Sequence, residues 1–328
     1  MTSKTVYHYV GMALIVSCLV FSLMAGQAAA QGTYPNKPIK LITGREPGGN
    51  TDIGYRLLAE TASKILGQPV VVENKIGGNS YLAFTTVMNA KPDGYTIGDY
   101  STMTYDLSTM YEKNPRKVED ATTIGCFYSV VHAVAVKADA PWKTFKDVVE
   151  YARKNPGQFT YAVPMAGAPP HFAMILVARK EKIDWKVVPY KGLASAVPAL
   201  LGGHIMSIAG LAGTHLEQVK AGNMKLLAVT GAARLPGFPD VPTLRDLKYD
   251  IDASFDIGLV APKGLPPDVL AKLENAFTKA AQDQKFQTFL KENNLPSTIM
   301  SSKEYTQYLK KSWDVRVPLI RELGLAYK

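Results

Sequence analysis

The chain has 328 residues, 47% of them hydrophobic and 20% charged, with a formal net charge of +9. That length exceeds one small core and suits two lobes, and the composition excludes a disordered chain or a multi-span membrane protein. The positive balance suits an anionic partner; Lys and Arg are spread along the chain with no basic block interleaved with aromatics, so nucleic acid is not expected.

Residues 1–30 read as a secretory leader. Lys4 supplies the positive start, residues 10–25 are nearly all apolar, and Ala28, Ala29 and Ala30 suit a signal peptidase. Cleavage is expected after Ala30, leaving an exported chain of residues 31–328. The apolar run is short for a retained anchor. Lipidation at Cys18 is disfavoured because apolar residues continue beyond it. Lys4 is the leader's only charged residue, so the exported part keeps +8. It also keeps a single cysteine, Cys126, which excludes an internal disulfide and reads as a small buried hydrophobe.

Beyond the leader, residues 38–42 predict a first strand, running into the glycine-rich loop 44–52, GREPGGNTD. Apolar positions at Ile53, Leu57, Leu58, Ala62 and Ile65 then predict a helix ended by Gly67, and residues 70–73 predict a second strand. Strand, loop, helix and strand in this order imply parallel pairing. The pattern recurs, with a helix over 80–88, strands over 95–98 and 133–136, and a helix over 144–155 capped by Thr144. Strands over 161–163, 185–190 and 226–230 follow, and from Pro267 onward the chain reads as helices. No linker divides it. Crossing strands are therefore expected near residues 125–127 and 255–258, giving lobe one as 31–126 plus 256–328 and lobe two as 127–255. A ligand would sit between them, at the carboxyl ends of strands.

The loop 44–52 is the sharpest local signal. Gly48 and Gly49 permit close backbone approach, Asn50 and Thr51 open a helix whose first N–H groups lack intrahelical partners, and Arg45 offers a charged fork for a carboxylate. The competing reading pairs Arg45 with Glu46 at the surface. Asp52 would repel an anion and is expected to bond nearby backbone. Gly78, Asn79 and Ser80 open the next helix in the same way. Ser101 and Thr102 end a strand with hydroxyls, and Ala166, Gly167, Ala168 and His171 begin a helix in the second lobe. The loop matches neither GxGxxG nor GxxxxGK[ST], which disfavours a nucleotide site. The histidines form no HExxH pair, no cysteine cluster exists and no GxSxG elbow appears, so no metal, cofactor or catalytic group is expected.

Taken in order, several short segments carry a resemblance. They are residues 34–39 (YPNKPI), 47–52 (PGGNTD), 70–74 (VVVEN), 91–96 (KPDGYT), 188–192 (VPYKG), 201–205 (LGGHI), and 226–230 with Pro236 and 240–243 (DVPT). Each is weak alone; together, over nearly the whole exported chain, they resemble the Bug-type solute-binding receptors of tripartite tricarboxylate transport systems. The resemblance implies an α/β, two-lobed periplasmic-binding-protein (Venus-flytrap) fold. It also implies a small carboxylate ligand and delivery to a two-component membrane permease. Ligand contacts would fall on Gly48, Gly49, Asn50, Thr51, Gly78, Asn79, Ser80, Ser101, Thr102, Ala166, Gly167, Ala168 and Pro169. A monomer without enzymatic activity is expected.

Three departures from the family pattern bear on the ligand. Arg45 and Glu46 stand where an uncharged PFxPGG loop is common. Ala209 and Gly210 stand where an Asp is common, and Ala168, Pro169 and Pro170 replace hydroxyl residues of a GTSSH loop. The missing Asp argues against an amino acid, and the smaller residues leave apolar room for an aromatic dicarboxylate such as terephthalate. A sensory binding protein and a periplasmic enzyme on the same fold are the alternatives.

Overall fold

The computed structural model describes residues 34–190, 193 and 195–328. The leader and its cleavage site lie outside the described residues.

Strand β1 (Ile39–Thr43) leads into helix α1 (Asn50–Leu66) and returns as β2 (Val70–Asn74), parallel to β1. Gly67 ends α1 in the left-handed conformation, as its position after the last apolar turn implies. Helix α2 (Tyr81–Met88), strand β3 (Thr96–Tyr100) and helix α3 (Thr102–Tyr111) repeat the unit, and β3 also runs parallel to β1. Strand β4 (Ala121–Val130) then enters the same sheet antiparallel to β10 (Phe255–Pro262). With β11 (Ser297–Ser301) at one edge, the completed order of six strands is β11-β4-β10-β3-β1-β2.

Lobe two is built on β5 (His132–Lys137), α4 (Phe145–Lys154), β6 (Thr160–Val163), α5 (Pro169–Glu181) and β7 (Lys186–Pro189). It continues through α6 (Ala196–Leu201), β8 (Ser207–Leu211), α7 (Ala212–Lys220) and β9 (Met224–Val229). The five strands are ordered β7-β6-β8-β5-β9. Thr144 caps α4 by accepting the Asp147 N–H. The chain leaves the first sheet after Val130 and is back in it at Phe255. Residues 125–127 still lie within β4, with Cys126 paired to Gly258 and Gly125 to Leu259, while Phe255 opens β10.

Helices α8 (Pro267–Gln282) and α9 (Gln284–Glu292), strand β11 (Ser297–Ser301) and helix α10 (Ser302–Glu322) return to lobe one. The expectation of helices alone after Pro267 is corrected here: residues 297–301 add an antiparallel edge strand to β4. A run this short is extended because β4 offers it a ladder, which periodicity does not reveal.

Each lobe has its own core. Tyr55, Leu58, Phe127, Ile257, Leu273 and Phe277 are fully buried between sheet one and helices α1, α8 and α9. Val134, Phe145, Phe159, Ala173 and Val177 fill lobe two. Cys126 is buried in the first lobe's other layer, and burial pushes its thiol up, so it is a packing residue. The central strands have no slack. A Cβ on Gly258 would stand 2.6 Å from the Gly125 carbonyl oxygen and 2.5 Å from the Tyr305 ring. Gly258→Ala is therefore expected to cost about 1–3 kcal/mol of stability, read as a lower urea midpoint. An unchanged midpoint would mean that β4 and β10 can part without cost.

Candidate functional site

The loop after β1 is fixed from below. Asp52 accepts the Gly48 N–H at 2.9 Å, Arg56 Nε and Nη2 at 2.8 and 3.1 Å, and Asn74 Nδ2 at 2.7 Å. Asn74 Nδ2 also donates to the Arg45 carbonyl at 2.9 Å. Burial alone would raise the Asp52 carboxyl, but the bonds from Arg56, Asn74 and Gly48 hold it below the usual carboxylate range. Its charge is thus spent on the loop, as expected, and does not oppose an incoming anion. Helix α1 begins after Gly49, an extended residue with no capping side chain, so its first amides point outward without a local acceptor.

Arg45 does not pair with Glu46. Its Nε lies 2.9 Å from Oδ2 of buried Asp99, to which Thr43 Oγ1 also donates at 3.2 Å, and its guanidinium stacks 4.6 Å from the Phe255 ring. The partner is 54 positions away, at the end of β3. One edge of the fork is thereby fixed, which orients the rest.

Arg45 lines a pocket of about 380 Å³ at the junction of the lobes. Gly49, Asn50 and Thr51 line it from α1, Val130 and Val131 from the crossing segment, and Asn293 and Asn294 from the turn after α9. The opposite wall is Leu211, Ala212 and Gly213, where β8 passes into α7. Two helix N-termini, one per lobe, thus face one space, and α7 too lacks a capping side chain.

The other expected residues lie elsewhere. Gly78 and Ser80 form a 3₁₀ turn beside the Arg45 loop, and the space left by Gly44's missing Cβ is where the Ser80 backbone packs. Asn79 belongs to the same turn. Ser101 and Thr102 are buried, and the Thr102 N–H already donates to Asp256 Oδ1 at 3.2 Å. The α3 N-terminus therefore holds an internal carboxylate, whose pKa is raised by burial. Ala166, Gly167, Ala168, Pro169 and His171 sit where α5 meets α10. The Gly167 N–H donates to His171 Nδ1 at 3.0 Å, and the His171 N–H to the Ala168 carbonyl at 2.9 Å. Pro169 and Pro170 have no N–H, so this helix start supplies shape rather than anion-binding amides. His171 is buried, which lowers its pKa and keeps it neutral.

Sequence reading missed residues 211–213, although a small-residue helix opening directly after a strand is the same signal that marked residues 48–51. Asn293 and Asn294 carry no such signal. Among the described residues no group of His, Cys, Asp and Glu is placed to hold a metal, and no helix is long and apolar enough to cross a membrane.

Two α/β lobes, joined by crossing strands and sharing a pocket fed by opposed helix N-termini, define a solute-binding receptor. Residues 55–325 match the family model described as the tripartite tricarboxylate transporter family receptor. A UPF0065 protein of Cupriavidus necator is 36% identical over 96% of this chain and 96% of its own. The crystal structure of a TctC solute-binding protein from Polaromonas, without ligand, superposes with a TM-score of 0.80 at 30% identity, covering 88% of this chain and all of that one. The periplasmic binding protein BugD superposes at 0.66 and 28% identity, covering 90% and 100%. The chain belongs to the tripartite tricarboxylate transporter receptor family, the periplasmic solute-binding receptors that the motifs pointed to, and is not an enzyme.

Proposed function

We propose that this receptor captures a small two-ended organic acid and, as a monomer, delivers it to a two-component membrane permease. The observation that carries this reading is the pocket between α1 and α7. Arg45 and the α1 amides meet one carboxylate, and the α7 N-terminus across the junction meets the other. Val130, Val131, Leu211 and Leu295 lie between them and suit a hydrocarbon spacer. At roughly 25 Å³ per heavy atom, scaled from a benzene-sized cavity, an aromatic dicarboxylate of about twelve heavy atoms needs about 300 Å³. The pocket's 380 Å³ accepts that. Terephthalate is accordingly the favoured ligand.

Calorimetric titration with terephthalate, phthalate, adipate, citrate and benzoate tests the assignment. Saturable one-to-one binding is expected for terephthalate, with benzoate much weaker. Equal affinity for benzoate would remove the second carboxylate site. Absence of binding by every acid would remove the carboxylate reading itself.

A further inference from the structure

Besides the crossing strands, two seams of unequal strength join the lobes. The first packs α5 of lobe two on α10 of lobe one. Phe172 is 2% exposed there, and Leu319 and Ile320, which pack with it, are 3% and 0% exposed. Leu325, just beyond α10, takes the space at Gly167, where a Cβ would stand 2.7 Å from Leu325 Cδ1. Arg179 and Glu322 pair at the exposed margin. Parting this seam would return buried apolar surface to water.

The second seam turns on one hydrogen bond. The Gly237 N–H of lobe two donates to Asn294 Oδ1 of lobe one at 2.8 Å. Each end is held by its own lobe. Leu235 is buried, and its carbonyl accepts the Phe238 N–H at 3.0 Å; across the seam, the Pro296 carbonyl accepts the Ser129 N–H of β4 at 3.0 Å. Asn294 has a φ of 54°, in the left-handed region that Asn tolerates. Gly237 fits because it lacks a side chain: a Cβ there would lie 2.2 Å from Asn294 Oδ1. Asn293, Asn294 and Leu295 also wall the Arg45 pocket, so this bond sits on the pocket's rim. It is exposed and neutral, a weak tie beside the apolar seam.

We propose that the pocket opens at this rim: the Gly237–Asn294 bond is its clasp, and lobe two turns on the α5–α10 seam when the clasp parts. The rim gives first because one exposed hydrogen bond is replaced by water at small cost, whereas the apolar seam is not. Given the reading of the Arg45 pocket as the ligand site, a ligand enters past Asn294, and the clasp slows its exit. Asn294 is thus a positioning residue: it acts by holding lobe two over the pocket.

Spin-label distances in the full exported protein test the clasp. One label pair, Asp240→Cys with Glu292→Cys, spans the rim, and another, Lys180→Cys with Arg321→Cys, spans the α5–α10 seam; all four positions are exposed, and Cys126 is buried. Asn294→Gly removes the acceptor and keeps the left-handed backbone accessible, while Gly237→Ala displaces only the Asn294 side chain. Without ligand, each should raise the ratio of long to short rim distances about 2- to 10-fold, as expected for one neutral hydrogen bond, and leave the seam pair unchanged. Combining them should add nothing further, since both remove the same bond. Terephthalate should restore the short rim distance and dissociate faster from each variant by a similar factor. A rim distance that ignores both substitutions overturns the proposal, as does a seam pair that separates while the rim pair holds. The ligand-free distances do not depend on which acid binds, so failure of terephthalate to bind would strike the ligand assignment and leave this test standing.

Discussion

Replacing Arg45 by alanine is expected to weaken terephthalate binding by about 30-fold to several thousand-fold, the equivalent of roughly 2–5 kcal/mol for a desolvated charged contact. The structure adds a complication that the substitution must be designed around. Asp99 is 4% exposed and relies on Arg45 Nε and the Thr43 hydroxyl. Arg45→Ala alone therefore also strands a buried carboxylate, at a stability cost of about 1–3 kcal/mol, since Arg45 itself is 21% exposed and partly screened. Arg45→Ala with Asp99→Asn removes both charges. This double variant should recover most of the stability and none of the affinity. Arg45→Lys should keep a charge but lose the fork held against Phe255, and fall between them. Terephthalate should lose much more affinity than benzoate in each variant. If affinity returns in the double variant, Arg45 acts only by holding Asp99, and the ligand does not touch it.

Relative to the unmodified protein, His215→Gln is expected to gain about 3 kcal/mol of stability between pH 7 and pH 4. His215 is fully buried in the first turns of α7, and burial lowers its pKa to about 4. His132, at the start of β5, is lowered to about 3 by burial, with the charge of Arg316 and the nearby His215 adding to it. Folded, both rings are neutral; unfolded, each takes a proton near pH 6.5. Below that pH the unfolded chain binds more protons, so stability falls with pH until the folded pKa is reached. The slope is about 1.4 kcal/mol per pH unit for each ring.

Asp106 works in the opposite sense. Burial lifts its carboxyl to about 6 against the pull of Arg316, so the folded state binds the extra proton between about pH 6 and the unfolded value of 3.8. Asp256, raised by burial, has the same sign. The unmodified protein therefore shows only the difference of these opposed slopes, and the substitution exposes one of them. Urea midpoints across the pH series give the comparison. Parallel curves for the two proteins would show that His215 titrates normally in the folded chain.

The sequence by itself determined what depends on near neighbours. Gly48 and Gly49 before a 3.6-period apolar run specify a strand-loop-helix turn, and Thr144 three residues before Asp147 specifies a cap. Pro169 and Pro170 already state that α5 opens without N–H donors. These follow from dihedral preference, periodicity and the presence or absence of a backbone donor, which act over a few residues. Only the tertiary structure decided which charges meet. Arg45 had an adjacent acid in Glu46, yet the fold brings Asp99 from the end of β3 and leaves Glu46 at the pocket rim. Ser101 and Thr102 read as strand-end hydroxyls open to a ligand, yet both are buried and β10 brings Asp256 from 154 positions away to the Thr102 N–H. Asn293 and Asn294 reach the pocket only because β11 returns the chain to the edge of β4. The reason is physical: a charge takes the partner that sheet register and helix packing place within hydrogen-bond reach, and that distance is set by long-range pairing rather than by spacing along the chain.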